Sequence, residues 1–219
     1  SPDAVKRVRD SGRVELADRL ARIGTDVRVS VVFQDAPRGL GHAIGCARSA
    51  VGNEPFAVLL PDELMGDSSL LTQMSEMFVQ QGKSVVGLKQ VPMSEVSAYG
   101  CVSTTAAPTA SGEVSVTGVV EKPALHEAPS DLILIGRYVL HTGMFEMLDA
   151  LKPAPSGEIQ LTDALLIEAQ AGNLRGVVSN IARFDTGTPM GWLQAVIELT
   201  LQRKDAGTEL EAWLKGRFS

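Results

Sequence analysis

Four short segments of this chain set carboxylate, amide, lysine or glycine groups at the ends of apolar runs. They are Gln34 to His42, Asp62–Glu63, Glu121–Lys122 and Asp185–Gly187. In Gln34-Asp-Ala-Pro-Arg-Gly-Leu-Gly-His42 the glycines allow a backbone to approach a flat ligand or a phosphate closely. Gln34 offers one acceptor and two donors, enough to read the edge of a pyrimidine ring. A glycine-containing turn at a helix start with a solvated Gln34 is the plainer reading. Asp62 follows the apolar run Phe56–Leu60 directly. Mg²⁺ bound to phosphates takes one or two protein carboxylates and fills its other positions with water and phosphate oxygens. Asp62 suits that demand, or it caps the next turn; Glu63 reads as a neighbouring solvated acid.

At Val119-Val-Glu-Lys-Pro123, strand alternation sends Glu121 and Lys122 to opposite faces. Glu121 can accept from paired hydroxyls, and Lys122 can place a point charge on a phosphate. The alternative is an edge-strand ion pair halted by Pro123. Gly136 sits in Leu134-Ile-Gly-Arg-Tyr138, where glycine is costly unless something approaches closely; a sugar ring or a bulge would explain it. Asp185, in Phe184-Asp-Thr-Gly187, is either a second metal ligand or the organiser of a helix start.

These groups need elements to position them. Ser1 to Ile23 carries a helical period, with Val5, Val8, Val14, Leu16, Leu20 and Ile23 as its apolar positions. Val27–Phe33 alternates and reads as a strand. Phe56–Leu60, closed by Pro61, reads as a strand buried on both faces. A helix over Ser69–Gln81 stops at Gly82, with Ser68 or Ser69 as its cap, and Lys83–Val91 is the next strand. That order argues for a doubly wound sheet. Three strands without intervening helices then follow, at Tyr99–Thr105, Val114–Glu121 and Leu132–Leu140, with a turn at residues 106–112. Helices return at Thr142–Leu151, Ile159–Ala171, Pro189–Arg203 and Thr208–Lys215. In open α/β sheets ligands bind at the carboxyl ends of strands, and four polar segments in such places suggest one shared cleft. The apolar stripe Trp192, Val196 and Leu199 reads as core, with self-association as the second reading.

At 219 residues, 44% hydrophobic and 21% charged, the chain has an ordinary globular composition. The net charge is −6 and the pI about 5.1, which excludes a basic nucleic-acid footprint. Cys46 and Cys101 form no CxxC or Cys/His cluster, so a zinc site is not expected, and both read as buried thiols. No signal peptide is visible and no apolar run reaches the roughly 18 residues of a membrane span. The expectation is a cytoplasmic protein without nucleic-acid or membrane partners. GxGxxG and GxSxG are absent, so neither a dinucleotide fingerprint nor a serine-hydrolase elbow is indicated.

Taken together, Gly39-Leu-Gly-His-Ala43, Pro55–Asp62, Val120-Glu-Lys-Pro123, Ile135–Leu140, Gly157-Glu-Ile-Gln-Leu-Thr-Asp163 and Phe184-Asp-Thr-Gly187 resemble the bacterial UTP–glucose-1-phosphate uridylyltransferases. The resemblance runs from about Val27 to Gln202. It implies a Rossmann-like nucleotidyltransferase fold, α/β, with a mixed, mostly parallel sheet flanked by helices. It implies a catalytic domain over residues 1–203 and a helical tail over 204–219. The implied reaction converts UTP and glucose 1-phosphate to UDP-glucose and pyrophosphate with Mg²⁺ as cofactor. Gln34 and the Gly39 backbone would hold the uracil, Glu121 and the Gly136 backbone the glucose, and Lys122 the sugar phosphate. Asp62 would bind Mg²⁺, joined by Asp185 at a position that supplies a metal ligand in related thymidylyltransferases. Glu158 and Asp163 would organise the sugar side or serve as support. A dimer or tetramer is the expected assembly.

Two departures stand out. Glu63 replaces the second Asp usual after the Leu-Leu-Pro-Asp run. The family's opening strand and Gly-x-Gly-Thr-Arg turn, which hold the triphosphate, have no match here. The N-terminal part of the fold is therefore expected to be missing, and the 219 residues alone to be inactive. The rival readings are a thymidylyltransferase or another sugar-1-phosphate nucleotidyltransferase, and a truncated sugar-nucleotide-binding chain without catalysis.

Overall fold

The computed structural model describes residues 2–218. By internal contacts the chain divides into two units, residues 1–36 and 37–219.

The first unit holds α1 (Pro2–Asp10) and α2 (Val14–Asp26). The expected single helix is broken because Gly12 takes φ +80, a left-handed conformation suited to glycine. Arg9 pairs with Asp18 across the two helices, and Ala17 is buried. The strand expected over Val27–Phe33 does not form. Alternation supplies the right side chains, but a strand also needs a neighbour for its backbone N–H and C=O groups. No described strand pairs with these residues.

The second unit runs α3 (Leu40–Cys46), α4 (Arg48–Val51), β1 (Phe56–Leu59), β2 (Glu63–Met65), α5 (Ser69–Gln81), β3 (Ser84–Gln90), β4 (Cys101–Thr104) and β5 (Glu113–Val120). It continues through β6 (Leu132–Leu140), α6 (Met144–Ala150), α7 (Leu161–Gln170), β7 (Leu174–Val178), β8 (Arg183–Asp185), α8 (Pro189–Leu201) and α9 (Gly207–Phe218). Six strands form one sheet in the order β1-β6-β3-β7-β5-β4, while β2 and β8 pair separately.

The sheet is mixed and flanked by helices, as the sequence indicates. Its parallel character is subtler than expected. The pairings make β1, β3, β4 and β7 run one way and β5 and β6 the other. Antiparallel β6 separates β1 from β3, and β5 separates β7 from β4, so β3–β7 is the parallel neighbour pair.

All nine residues of β6 are buried. Leu132, Leu134, Tyr138 and Leu140 face a core that contains Ile44, Phe145, Leu148 and Leu165 of α3, α6 and α7. Ile133, Ile135 and Val139 face Leu70, Met74 and Met77 of α5 on the other side. A strand covered on both faces reads as a continuous apolar run. By contrast β1 is an edge strand, with Ala57 and Leu59 exposed, so it is not buried on both faces.

Smaller expectations also change. Ser68 stands at the N-cap of α5 as expected, but the Ser69 amide is accepted by Asp67 Oδ1 at 2.8 Å and not by the Ser68 side chain. Cys101 is buried as expected, but Cys46 is only partly so. Trp192 and Val196 on α8 are exposed, so that stripe is not core. Among the described residues no helix is long and apolar enough to cross a membrane.

Candidate functional site

The site is built on an interruption in the pairing of β6. Against β3, Val86 faces Tyr138 and Leu88 faces Leu134, so residues 135–137 stand opposite Gly87 alone. This is a bulge, and Gly136 at its centre takes φ +61. A Cβ there would meet Glu63 Cγ at 2.8 Å and Leu60 Cβ at 3.0 Å. On its other edge β6 is shared by two strands. Phe56–Leu59 of β1 pair with Leu140–Arg137, and Cys101 of β4 pairs with Ile133. Between them Gly136 accepts from Leu60 N–H at 3.0 Å, and Leu134 donates to the Gly100 carbonyl at 2.9 Å.

A cleft of about 300 Å³ occupies this gap. Asp62, Glu121, Lys122, Gly136 and Asp185 all line it. The structure therefore brings together five residues from distant points in the chain. Leu60, Tyr99, Gly100, Tyr138, Gln160 and Thr162 join them.

Asp62 and Asp185 arrive on adjoining segments. Glu63 and Asp185 are register partners of the β2–β8 pair. Thr186 N–H and Oγ1 both donate to the Asp62 carbonyl, at 2.7 and 2.9 Å. Those bonds use the Asp62 main chain and leave its carboxylate to the cleft. Asp185 Oδ1 accepts from Gly187 N–H at 3.1 Å, and Oδ2 from Tyr99 Oη at 2.9 Å.

Glu63 is not the solvated acid expected from sequence; it is buried and paired with Arg183. Arg183 Nε donates to Glu63 Oε2 at 2.6 Å while its Nη2 bonds Oε1. Its guanidinium also stacks 4.8 Å from the Tyr99 ring centroid. Burial pushes the Glu63 carboxyl above its ordinary range, and the Arg183 bond opposes that rise. Burial alone would lower Arg183, but the Glu63 carboxylate outweighs it and holds the guanidinium more basic than usual. Buried Arg137 completes the support by donating to the Leu60, Gly136 and Glu63 carbonyls.

Glu121 and Lys122 do not go to opposite faces. Lys122 takes φ +43, the one positive φ of a non-glycine among the described residues, so alternation ends there. The conformation is disfavoured twice over, by the side chain and by the following Pro123. It is held by a bond from Lys122 N–H to the Tyr99 carbonyl at 3.1 Å. Lys122 is the cation among the lining residues, set against Asp62, Glu63, Glu121 and Asp185. Burial first, then the charges of Glu121, Glu63 and Asp62, push the Tyr138 hydroxyl well above its ordinary value. The cleft is thus acidic. A phosphate entering it needs a cation besides Lys122.

The donor set fits a hard divalent ion. Asp62 and Asp185 set two carboxylates on one space, and Glu121, Gln160, Thr162 and Tyr138 add further oxygens to a lining that also holds Lys122 and apolar groups. Among the described residues no group of three or more His, Cys, Asp or Glu could hold a metal.

The other sequence candidates fall outside the cleft lining. Gly39 caps α3 at φ +91, and a Cβ there would lie 2.6 Å from the Ile159 carbonyl. Close packing on residues 158–159 accounts for that glycine. Gln34 belongs to the first unit. Glu158 accepts from Gln160 Nε2 at 2.6 Å, and so supports a lining residue. Thr162 was missed, although it lies inside the Gly157–Asp163 motif. Its buried Oγ1 has no hydrogen-bond partner among the described residues.

Comparison with known proteins identifies the family. The model of the nucleotidyl transferase family matches residues 8–202. The UTP–glucose-1-phosphate uridylyltransferase YngB of Bacillus subtilis is 34% identical over 210 residues, covering 95% of this chain and 70% of that protein. The Escherichia coli K12 uridylyltransferase is 38% identical over 201 residues, 86% of this chain and 64% of that one. Among solved structures, the UTP-bound enzyme of Acinetobacter baumannii superposes with a TM-score of 0.85 at 32% identity, covering 97% of this chain and 74% of that one. A UDP-glucose pyrophosphorylase complexed with UDP-glucose gives a TM-score of 0.74 at 36% identity, with 80% and 66% coverage. The chain therefore spans 64–74% of the length of these proteins.

Proposed function

This chain belongs to the nucleotidyl transferase family, among the UTP–glucose-1-phosphate uridylyltransferases, and we propose that the cleft beside β6 is where it handles the sugar phosphate and the cation. The reaction transfers a uridylyl group from UTP to glucose 1-phosphate. A phosphate oxygen of the sugar forms a bond to the α-phosphorus of UTP. The bond from that phosphorus to the bridging oxygen of the β-phosphate breaks, and pyrophosphate leaves with the electron pair. No protein nucleophile is required, so catalysis is positioning and charge neutralisation.

The observation that carries the site reading is the convergence of Asp62, Asp185, Glu121 and Lys122 on one cleft. Asp62 and Asp185 would hold Mg²⁺, which neutralises phosphate charge when bound. Lys122 sets a point charge against the sugar phosphate. Glu121 accepts from sugar hydroxyls, and the Gly136 backbone, free of a Cβ, lies against the ring. The uracil contacts of Gln34 and the Gly39 backbone are supported by the amide chemistry of the one and the sequence resemblance around the other. A cytoplasmic setting fits the two free thiols. Self-association to a dimer or tetramer fits the exposed Met190, Trp192, Leu193 and Trp213 of α8 and α9, and light scattering tests it.

The test of function is a turnover assay on the full-length protein with glucose 1-phosphate and Mg²⁺ against UTP, dTTP, ATP and CTP. Preference for UTP with release of pyrophosphate is expected. Preference for dTTP moves the chain to the thymidylyltransferases.

A further inference from the structure

Tyr99 occupies a position that joins the two sides of the cleft. Its hydroxyl donates to Asp185 Oδ2 at 2.9 Å. Its carbonyl accepts from Lys122 N–H at 3.1 Å, the bond that holds the lysine in its left-handed conformation. Its ring lies under the Arg183 guanidinium, which itself grips Glu63 and stands 3.5 Å from Asp185 Oδ2. Tyr99, two residues before β4, thus has its hydroxyl on the aspartate segment and its main chain on the lysine segment.

This arrangement constrains Asp185 in a particular way. A carboxylate on a short strand end can rotate about its Cβ–Cγ bond. Here Oδ2 is fixed by the Tyr99 hydroxyl and Oδ1 by the Gly187 amide, so the plane of the group is set. Each oxygen keeps a further lone pair. A carboxylate oriented before a cation arrives binds it more tightly than one that must be ordered by it.

We propose that Tyr99 is a positioning residue for the divalent cation, acting through Asp185. The inference rests on the reading of Asp62 and Asp185 as metal ligands. Tyr99→Phe removes only the hydroxyl; the ring stack and the carbonyl bond to Lys122 remain.

The test is Mn²⁺ binding to the full-length protein in the presence of UTP, read by the electron paramagnetic resonance signal of free Mn²⁺. It compares wild type, Tyr99→Phe, Asp185→Asn and the double variant. Loss of an outer-shell partner weakens metal binding by roughly 10–100-fold. Tyr99→Phe should therefore bind Mn²⁺ about tenfold more weakly or worse, with an unchanged melting temperature. The Mg²⁺ concentration needed for half-maximal turnover should rise in parallel, and the KM for glucose 1-phosphate should stay put. On the Asp185→Asn background the same substitution should add nothing. Mn²⁺ affinity in Tyr99→Phe equal to wild type overturns the inference while the metal site stands. So does an equal loss on the Asp185→Asn background. Wild-type affinity in Asp185→Asn removes Asp185 as a ligand and the inference with it. No Mn²⁺ binding by wild type with UTP overturns both.

Discussion

Asp62 and Asp185 meet at Gly187. A Cβ on that glycine would stand 3.2 Å from Asp62 Oδ2 and 3.1 Å from Asp185 Oδ1. Both distances are tighter than ordinary van der Waals contact, so a methyl group fits only if the carboxylates withdraw. Gly187→Ala should therefore perturb the cation site with little effect on folding. A small displacement of reacting groups costs rate steeply, and a loss of roughly 10-fold or more in kcat is expected. Steady-state kinetics across a Mg²⁺ series, with a thermal melt as control, will show it. Unchanged kinetics would mean that the space at Gly187 is not used.

Asp62→Asn separates the two sequence-level readings of that residue. The bonds that Thr186 makes to Asp62 go to its carbonyl, so the amide substitution leaves them in place. The melting temperature should be close to wild type. Turnover should fall by at least ~100-fold, because a lost carboxylate on the cation removes several kcal/mol of charge stabilisation. Near wild-type turnover at saturating Mg²⁺ would remove Asp62 from the cation site.

Thr162 offers a test without any metal. Its buried hydroxyl has no partner among the described residues, and an unmade hydrogen bond costs about 1–3 kcal/mol. Thr162→Val keeps the shape and removes the polar atom. The ligand-free protein should gain about 1 kcal/mol of stability. The rise in melting temperature on adding UDP-glucose should shrink, because the sugar then loses a partner. Destabilisation of the ligand-free variant would instead show that the hydroxyl is already bonded.

Glu63 and Arg183 form the buried ion pair beneath the cation site. Removing one partner leaves the other charge stranded. Glu63→Ala should cost about 3 kcal/mol, near the low end for breaking such a pair, since Asp185 remains close to the guanidinium. Replacing both residues by methionine should recover much of that stability while leaving the activity impaired. Chemical denaturation of the two variants against wild type measures the first; the uridylyl-transfer assay measures the second.

The sequence was legible where one rule governed a residue. β6 could be read almost to the residue, because burial on both faces writes an apolar run that only Gly136 and Arg137 interrupt. The segments around Asp62, Glu121 and Asp185 could be placed at strand ends, and the fold gathers them. Legibility failed where a partner element decides. Val27–Phe33 has the alternation of a strand and no described neighbour to bond. Glu121 and Lys122 share a cleft because a tertiary bond from Lys122 N–H to the Tyr99 carbonyl overrides alternation at residue 122. Tyr99 and Arg183 carry no local signal at all. Each is defined by side chains eighty or more residues away.

The interruption in β6 has a consequence for how such a site can change over time. The opening exists because two strands share one edge, and its span is set by how many residues of β6 lie between the last partner of β1 and the first of β4. That span changes in whole residues, by insertion or deletion in the bulge. Single substitutions adjust the lining, but only a change of count resizes the opening. Specificity in such a frame would shift in steps, each tied to one residue added or removed near Gly136.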